Sequence, residues 1–480
     1  MIDPDTNTLP RQIRKHRRRR RWIWIKRIAF VLALHFAIAT LGFAIDWKLT
    51  RDAGEKQLAV HTARLDAEDP GWRFVDIVAE HNSKVPTPET NTAMKAVEIV
   101  RQFPSAPDYS LLRADIDKGR LPNELPDADD WKRLDSHFPE WEPGVVELRK
   151  FNASTPRGRI AIAYPGGNPI NIKLDHTQHI RTAAFALAWD ALRSSHAGRP
   201  DPALGSAVSG LHLIRSIDFE PTLITYLIRL GSAQTALQSV EQTLAWCRNP
   251  GEKSLIEVQE LVARESEHAF MHTAQRGDRA LMLHMFDLID RGEIGLESAK
   301  PDWSLGTIVY KQHMPTNSVY ILERHAEFAT MLELPPAEKA EAIRNWTMPP
   351  RTRENLMGYL MMPAINKLAL AEIRYQARCL CTAAGIACER YRLKHGRWPA
   401  ALDDLAEFGI RKGLIDPFDG QPLRYAVKED GIVIYSIGTD GRDDGGDVVR
   451  REGIPNDTGF RLWNVDKRRV EREVIPEPGE

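Results

Sequence analysis

Ile28 to Ile45 is an apolar run of 18 residues, interrupted only by His35, Thr40 and Gly42, and it constrains this chain more than any other feature. As a helix it covers about 27 Å, close to the hydrocarbon thickness of a bilayer, and Trp22 and Trp24 supply interfacial anchors. Ten basic residues precede it: Arg11, Arg14, Lys15, Arg17 to Arg21, Lys26 and Arg27. Beyond it, Asp46, Asp52 and Glu55 dilute the few cations. The positive-inside rule therefore expects a cytoplasmic N-terminus and an extracytoplasmic body after about Trp47. A cleaved signal peptide competes, because Gly42-Phe43-Ala44 offers small residues, but the apolar run exceeds the usual h-region of about 7 to 15 residues. The expectation is a single-pass signal anchor in a bacterial inner (plasma) membrane, with the lipid bilayer as its first partner.

The charge balance narrows the function classes. Over 480 residues, 65 Lys and Arg oppose 66 Asp and Glu, for a net charge of −1. Because the first 27 residues alone are strongly basic, the rest is acidic, which argues against nucleic acid as a partner. The Arg run reads as an orientation signal touching anionic headgroups. A chain of this length allows about three domains.

The expected organisation is a basic tail at 1–27, a membrane helix at 28–47, an irregular and mostly helical region at 48–175, a helical body at 176–360, a C-terminal module at 361–450 and a tail at 451–480. In 159–174, two apolar-rich arms flank Pro165-Gly166-Gly167-Asn168-Pro169 and suggest a short hairpin. From about Thr177, apolar residues recur at helical spacing: Phe185, Ala188 and Leu192, then Leu204, Val208 and Leu211, then Leu223, Leu227 and Leu230. Turn residues separate these groups, which predicts antiparallel helical hairpins. A pair at Ala197-Gly198 and Ala203-Leu204 resembles a tetratricopeptide unit, but no 34-residue recurrence follows. Further helices are expected over 253–275, 279–291, 319–334 and 336–344, and a last long one over 364–395, striped by Ile373, Ala377, Leu380, Ala384, Ala387 and Tyr391. Strands are expected at 423–429 and 432–437, around an Asp430-Gly431 type I′ turn. The predicted fold class is mainly α, with an N-terminal transmembrane helix, an antiparallel helical-hairpin body and a small C-terminal α+β module containing a β-hairpin.

The C-terminal module reads YRLKHGRWP from Tyr391, DPFDGQPLRY from Asp416 and IYSIGTDGRDDGGD from Ile434. This order, over about 373–447, resembles the globular end of the major pseudopilin of type II secretion systems. The resemblance implies a helix packed on a small antiparallel sheet and a calcium-binding acidic loop, carried here by Ser436, Asp440, Asp443, Asp444 and Asp447. The family's prepilin cleavage motif does not precede Ile28, and more than 300 residues separate the two helices, so a processed, fibre-forming pilin is not expected. The layout looks like that of uncharacterised bacterial single-pass membrane proteins. The residues themselves bear on calcium independently: four carboxylates within eight residues repel unless neutralised or solvated, and Ca²⁺ takes six to eight hard oxygens. Gly441, Gly445 and Gly446 permit the backbone to wrap an ion. The spacing is not that of an EF-hand, and a solvated Asp/Gly turn is the alternative.

Two further groups carry metal-ligand residue types. Glu265, His268 and His272 fall on one helical face, a spacing that could hold a metal, but Ala269 stands where a zincin needs Glu. Asp175, His176 and His179 are a similar case. A solvated face or a structural histidine is the ordinary reading of both. Cys247, Cys379, Cys381 and Cys388 form no CxxC. Cys381 and Cys388 lie about 10 Å apart along a helix, too far to bridge, while Cys247 could pair only if the helices pack together. Buried small apolar residues are their default. No Walker A loop, nucleophile elbow, dinucleotide fingerprint or S-x-x-K is present. The expected function is a membrane-anchored extracytoplasmic structural or interaction protein, linked to secretion or envelope proteins. The alternative is a membrane-tethered metal-dependent hydrolase with a site in the helical body.

Overall fold

The computed structural model describes residues 9–103, 121–136, 138–151, 158–163, 167–294, 305–410, 414–448 and 457–471. The chain is mainly helical, with a long apolar N-terminal helix and a three-stranded antiparallel sheet at its C-terminal end.

Helix α1 is Leu9–Glu68 and does not stop where the apolar run stops. No proline interrupts the segment from Trp47 to Glu68, so the backbone bonding simply continues. Residues 18–46 are exposed, and the apolar run itself is bare; contact with the body begins at Asp46, which accepts from Gln312 at 2.9 Å. Beyond Trp47, α1 docks along α11, Leu305–Leu332. Contact is close at Gly54, where an added Cβ would lie 2.9 Å from Thr316 Oγ1 and 3.1 Å from Pro315 Cβ. Pro315 has no N–H, so the Lys311 carbonyl one turn earlier is freed, and Arg51 donates to it at 2.8 Å. The same guanidinium forks onto both oxygens of Asp290, at 2.9 and 2.6 Å. At its far end α1 is pinned by Asp69, which accepts from Arg276 and Arg279.

The smaller helices α2 (Phe74–Ser83), α3 (Thr92–Arg101), α4 (Ala128–Ser136) and α5 (Glu142–Leu148) follow. The body consists of α6 (Asp175–His196), α7 (Pro200–Ile214), α8 (Leu223–Trp246), α9 (Glu252–Ser266) and α10 (Met271–Arg291), then α11, α12 (Pro336–Asn345) and α13 (Leu356–Met361). Their starts follow local chemistry: Pro200 opens α7 at its first turn, and Thr222 caps α8 by accepting from Thr225 N at 3.1 Å. One apolar core runs through α7 to α11 and into the C-terminal module. A second, around Phe138, Trp141 and Trp189, joins α3 and α5 to α6.

Helix α14, Ile365–His395, buries Ile373, Ala377, Ala384, Ala387 and Tyr391, the predicted stripe apart from the half-buried Leu380. It packs on the sheet of β1 (Arg424–Lys428), β2 (Gly431–Ser436) and β3 (Thr458–Trp463), in the order β1-β2-β3. Gly385 makes room for this contact. A Cβ there would lie 2.3 Å from the Phe460 ring, so a residue that ordinarily weakens a helix is retained for packing.

Several expectations are corrected. The helix expected over 253–275 is two helices, broken at 267–270, and α11 begins at Leu305 rather than 319, running through Pro315. The hairpin expected at 159–174 is a single antiparallel bridge, Ala163 to Lys173, with 164–166 outside the described residues. The tail expected at 451–480 contains β3, whose ladder with β2 runs from Gly431↔Trp463 to Ser436↔Thr458; residues 451–456 and 472–480 lie outside the described set. The β1–β2 turn is Glu429-Asp430, closed by Lys428↔Gly431, and neither turn residue has positive φ, so it is not type I′. Gly431 instead opens β2, where a Cβ would meet the Leu462 carbonyl at 2.0 Å.

Candidate functional site

Two polar assemblies stand out, one around the acidic loop of the C-terminal module and one in the body. In the module, Asp416 is fully buried and accepts four hydrogen bonds: from Phe418 N at 2.9 Å, Ser436 Oγ at 2.7 Å, Arg424 at 2.6 Å and Ile437 N at 3.0 Å. This carboxylate pins the DPFDG turn to the end of β2. Arg424 also pairs with Asp419 and lies 3.6 Å from Asp443 Oδ2. Ser436, one of the five expected ligands, is therefore committed to Asp416 and has no exposed surface. Asp440 accepts from Arg442 N, within its own turn. Asp443 accepts from Tyr435 Oη at 3.1 Å and Gly445 N at 2.9 Å, while Asp444 and Asp447 are exposed.

The sequence reading omitted Asp457, which the chain returns to this loop. It accepts from Asp444 N at 3.4 Å and Gly446 N at 2.8 Å. Burial raises its carboxyl, and the charges of Asp443 and Asp444 push it further, outweighing those backbone bonds. Burial and the Asp443 bond likewise push the Tyr435 hydroxyl up to about 12. Excess negative charge therefore persists here despite Arg424 and Lys428, which donates to Gly445 O. Among the described residues, no three Asp, Glu, His or Cys side chains are grouped as one metal site.

In the body, Arg229 is almost completely buried between two carboxylates. Its Nε donates to Asp218 at 2.5 Å and its terminal nitrogen to Glu265 at 2.7 Å, with the guanidinium 3.9 Å from the Phe270 ring centre. Tyr375 Oη donates to Glu265 at 3.0 Å, Arg215 lies 3.1 Å from the other Glu265 oxygen, and His268 lies 3.1 Å from Asp218. Burial alone would raise Asp218, but Arg229 and His268 hold it low. The sequence spacing had placed Glu265, His268 and His272 on one helical face. The break at 267–270 separates them: Phe270 is drawn against Arg229, Met271 N donates to Glu372 at 3.0 Å, and His272 turns to Glu333 at 3.7 Å. One Glu265 oxygen accepts from both the Arg229 guanidinium and the Tyr375 phenol, and the other faces Arg215. The cluster holds α8, α9 and α14 and the segment after α7 together.

His176 pairs with buried Glu220 at 2.7 Å, and Thr225 donates to the same carboxylate, so this histidine is tied into the fold. All four cysteines are free and buried, and burial pushes the Cys247 thiol up to about 11. A third buried pair went unpredicted: Arg468 forks onto Glu389 at 2.9 and 2.7 Å and donates to Cys247 O at 2.7 Å, fastening the residues after β3 to α14. Comparison with family models, curated proteins and solved structures finds no match.

Proposed function

We propose that this chain is a membrane-anchored structural or interaction protein, with its N-terminus in the bacterial cytoplasm and its body outside the plasma membrane, serving secretion or envelope assembly. The observation that carries the reading is the continuity of α1. An apolar helix bare on all sides and long enough to span suits a lipid surround, and it passes without a break into a helix clamped to the body by Arg51, Gly54 and Asp69. Such a joint fixes the body's orientation to the bilayer. Cysteine accessibility tests it in intact cells: Val427→Cys should react with an impermeant maleimide added outside, and Thr6→Cys only after lysis. The reverse pattern would overturn the topology.

The pseudopilin-like ending belongs to the same proposal. Its helix-on-sheet arrangement supports it, and the crowding of Asp443, Asp444 and Asp457 suits a divalent cation, which would also relieve their repulsion. Calcium is the chemical choice for an all-oxygen loop, and binding would need the exposed Asp443 and Asp444 side chains to rotate towards Asp457. A ligand held only by the native state raises apparent stability. Thermal unfolding of the full chain should therefore shift upward with calcium, and Asp443→Ala with Asp444→Ala should abolish the shift. Equal melting in calcium and chelator, with no metal bound, would dispose of the calcium reading and leave the anchor reading untouched.

A further inference from the structure

We propose that the body makes a second contact with the bilayer, through the first turns of α11 resting on the extracytoplasmic headgroup region beside the anchor; this rests on the reading of α1 as a membrane span. The argument is one of register. Gly54 meets Thr316, and seven residues further along both helices His61 lies 3.7 Å from Glu323. Equal steps in the same direction mean that α1 and α11 run parallel, residue opposite residue.

Counting back by eight from the contact pair brings Gly54 to Asp46 and Thr316 to Ile308, a drop of about 12 Å along each axis. Counting from Gly54 puts Ile308 level with Asp46, the first charged residue beyond the apolar run, and the Gln312 contact to Asp46 puts it up to one turn lower, so α11 begins beside the last turns of that run. Pro315 does not divert the earlier part of α11 away from α1. Both contacts on its N-terminal side persist, Arg51 to the Lys311 carbonyl at 2.8 Å and Gln312 to Asp46 at 2.9 Å.

The sequence suits that depth. Leu305-Gly306-Thr307-Ile308-Val309-Tyr310 carries no charge, whereas the next residue is Lys311. An uncharged stretch ending in a tyrosine and a lysine is the composition that partitions to the boundary between headgroups and acyl chains. Two attachments, one spanning and one interfacial, would also resist tilting of the body about a single helix.

The test places an environment-sensitive fluorophore on Ile308→Cys in the full chain, reconstituted in nanodiscs, with unsubstituted protein reporting background from the buried native cysteines. Phe36→Cys marks the span and Val427→Cys marks the body surface. The expected result is a blue-shifted Ile308 probe that loses emission to a quencher on the upper acyl chain, while the Val427 probe loses emission only to aqueous iodide. Thr307→Cys gives the same reading should the Ile308 variant misfold. An Ile308 probe that behaves like Val427, with Phe36 quenched by lipid, overturns the second contact alone. A Phe36 probe that lipid does not quench overturns both the contact and the anchor.

Discussion

Glu372 illustrates how burial sets a residue's chemistry against its type. It sits beside the Arg229 cluster with Met271 N on one oxygen, yet burial outweighs Arg229 and raises its carboxyl to about 7. A carboxyl whose folded pKa exceeds its ordinary 4.5 binds protons more tightly when folded, so its contribution is fully favourable below 4.5 and is lost as pH rises to 7. The loss is about 3 kcal/mol at most. Asp278, raised by burial to about 7, acts with the same sign, while His325, lowered by burial to about 3, opposes them below its ordinary 6.5. Comparing Glu372→Gln with the parent isolates one contribution: the variant, which keeps an acceptor for Met271 N, should gain stability at pH 8 relative to pH 5 in chemical denaturation. An unchanged difference between the two pH values would show that Glu372 titrates normally. None of this was legible in the sequence, where Glu372 occupies an ordinary helical position; its burial depends on which helices close over it.

At the scale of elements, α1 and α11 show how two helices approach closely through small or special residues. Gly54 removes a side chain at the crossing, and Pro315 exposes a carbonyl that Arg51 takes. Gly54→Leu would force the helices apart, with an expected cost of roughly 1 to 3 kcal/mol from overpacking. The diagnostic measurement is hydrogen exchange: amides from about Lys48 to Thr62 should exchange faster while those of α14 stay protected. Uniform protection would mean that the joint is not where the body is held. The sequence pattern started α11 too late, at 319 rather than 305, because a proline ordinarily marks a helix boundary, and a partner for the carbonyl freed by Pro315 lies 260 residues away. It carried the helix from 253 too far, for a related reason. The break at 267–270 is chosen by Asp218, Arg229 and Glu372, none of them local.

Across the whole molecule, the Arg229 cluster acts as a fastener. Its two carboxylates and the phenol come from separate elements, and all are shut away from solvent. Arg229→Met would leave Asp218 and Glu265 buried with reduced compensation, at an expected cost of about 3 to 5 kcal/mol. Because the cluster joins α8, α9 and α14, the loss should appear in a single global melting transition. A separate early transition confined to one segment would contradict that role.

The sequence by itself determined the apolar N-terminal helix, the helical body, the long amphipathic helix and the first two strands. Each is written in a local period or a run of apolar residues, which neighbouring side chains enforce. Only the tertiary structure decided the partners. Thr458–Trp463 becomes a strand because β2 offers an open edge and Gly385 a seat for Phe460, and Asp457 reaches the acidic loop through that same return. Glu265 and His268 were drawn from a supposed metal face to two arginines and an aspartate by the same kind of distant contact. Hydrophobic period is a property of a few consecutive residues, whereas the pairing of buried charges depends on which distant segments are enclosed together.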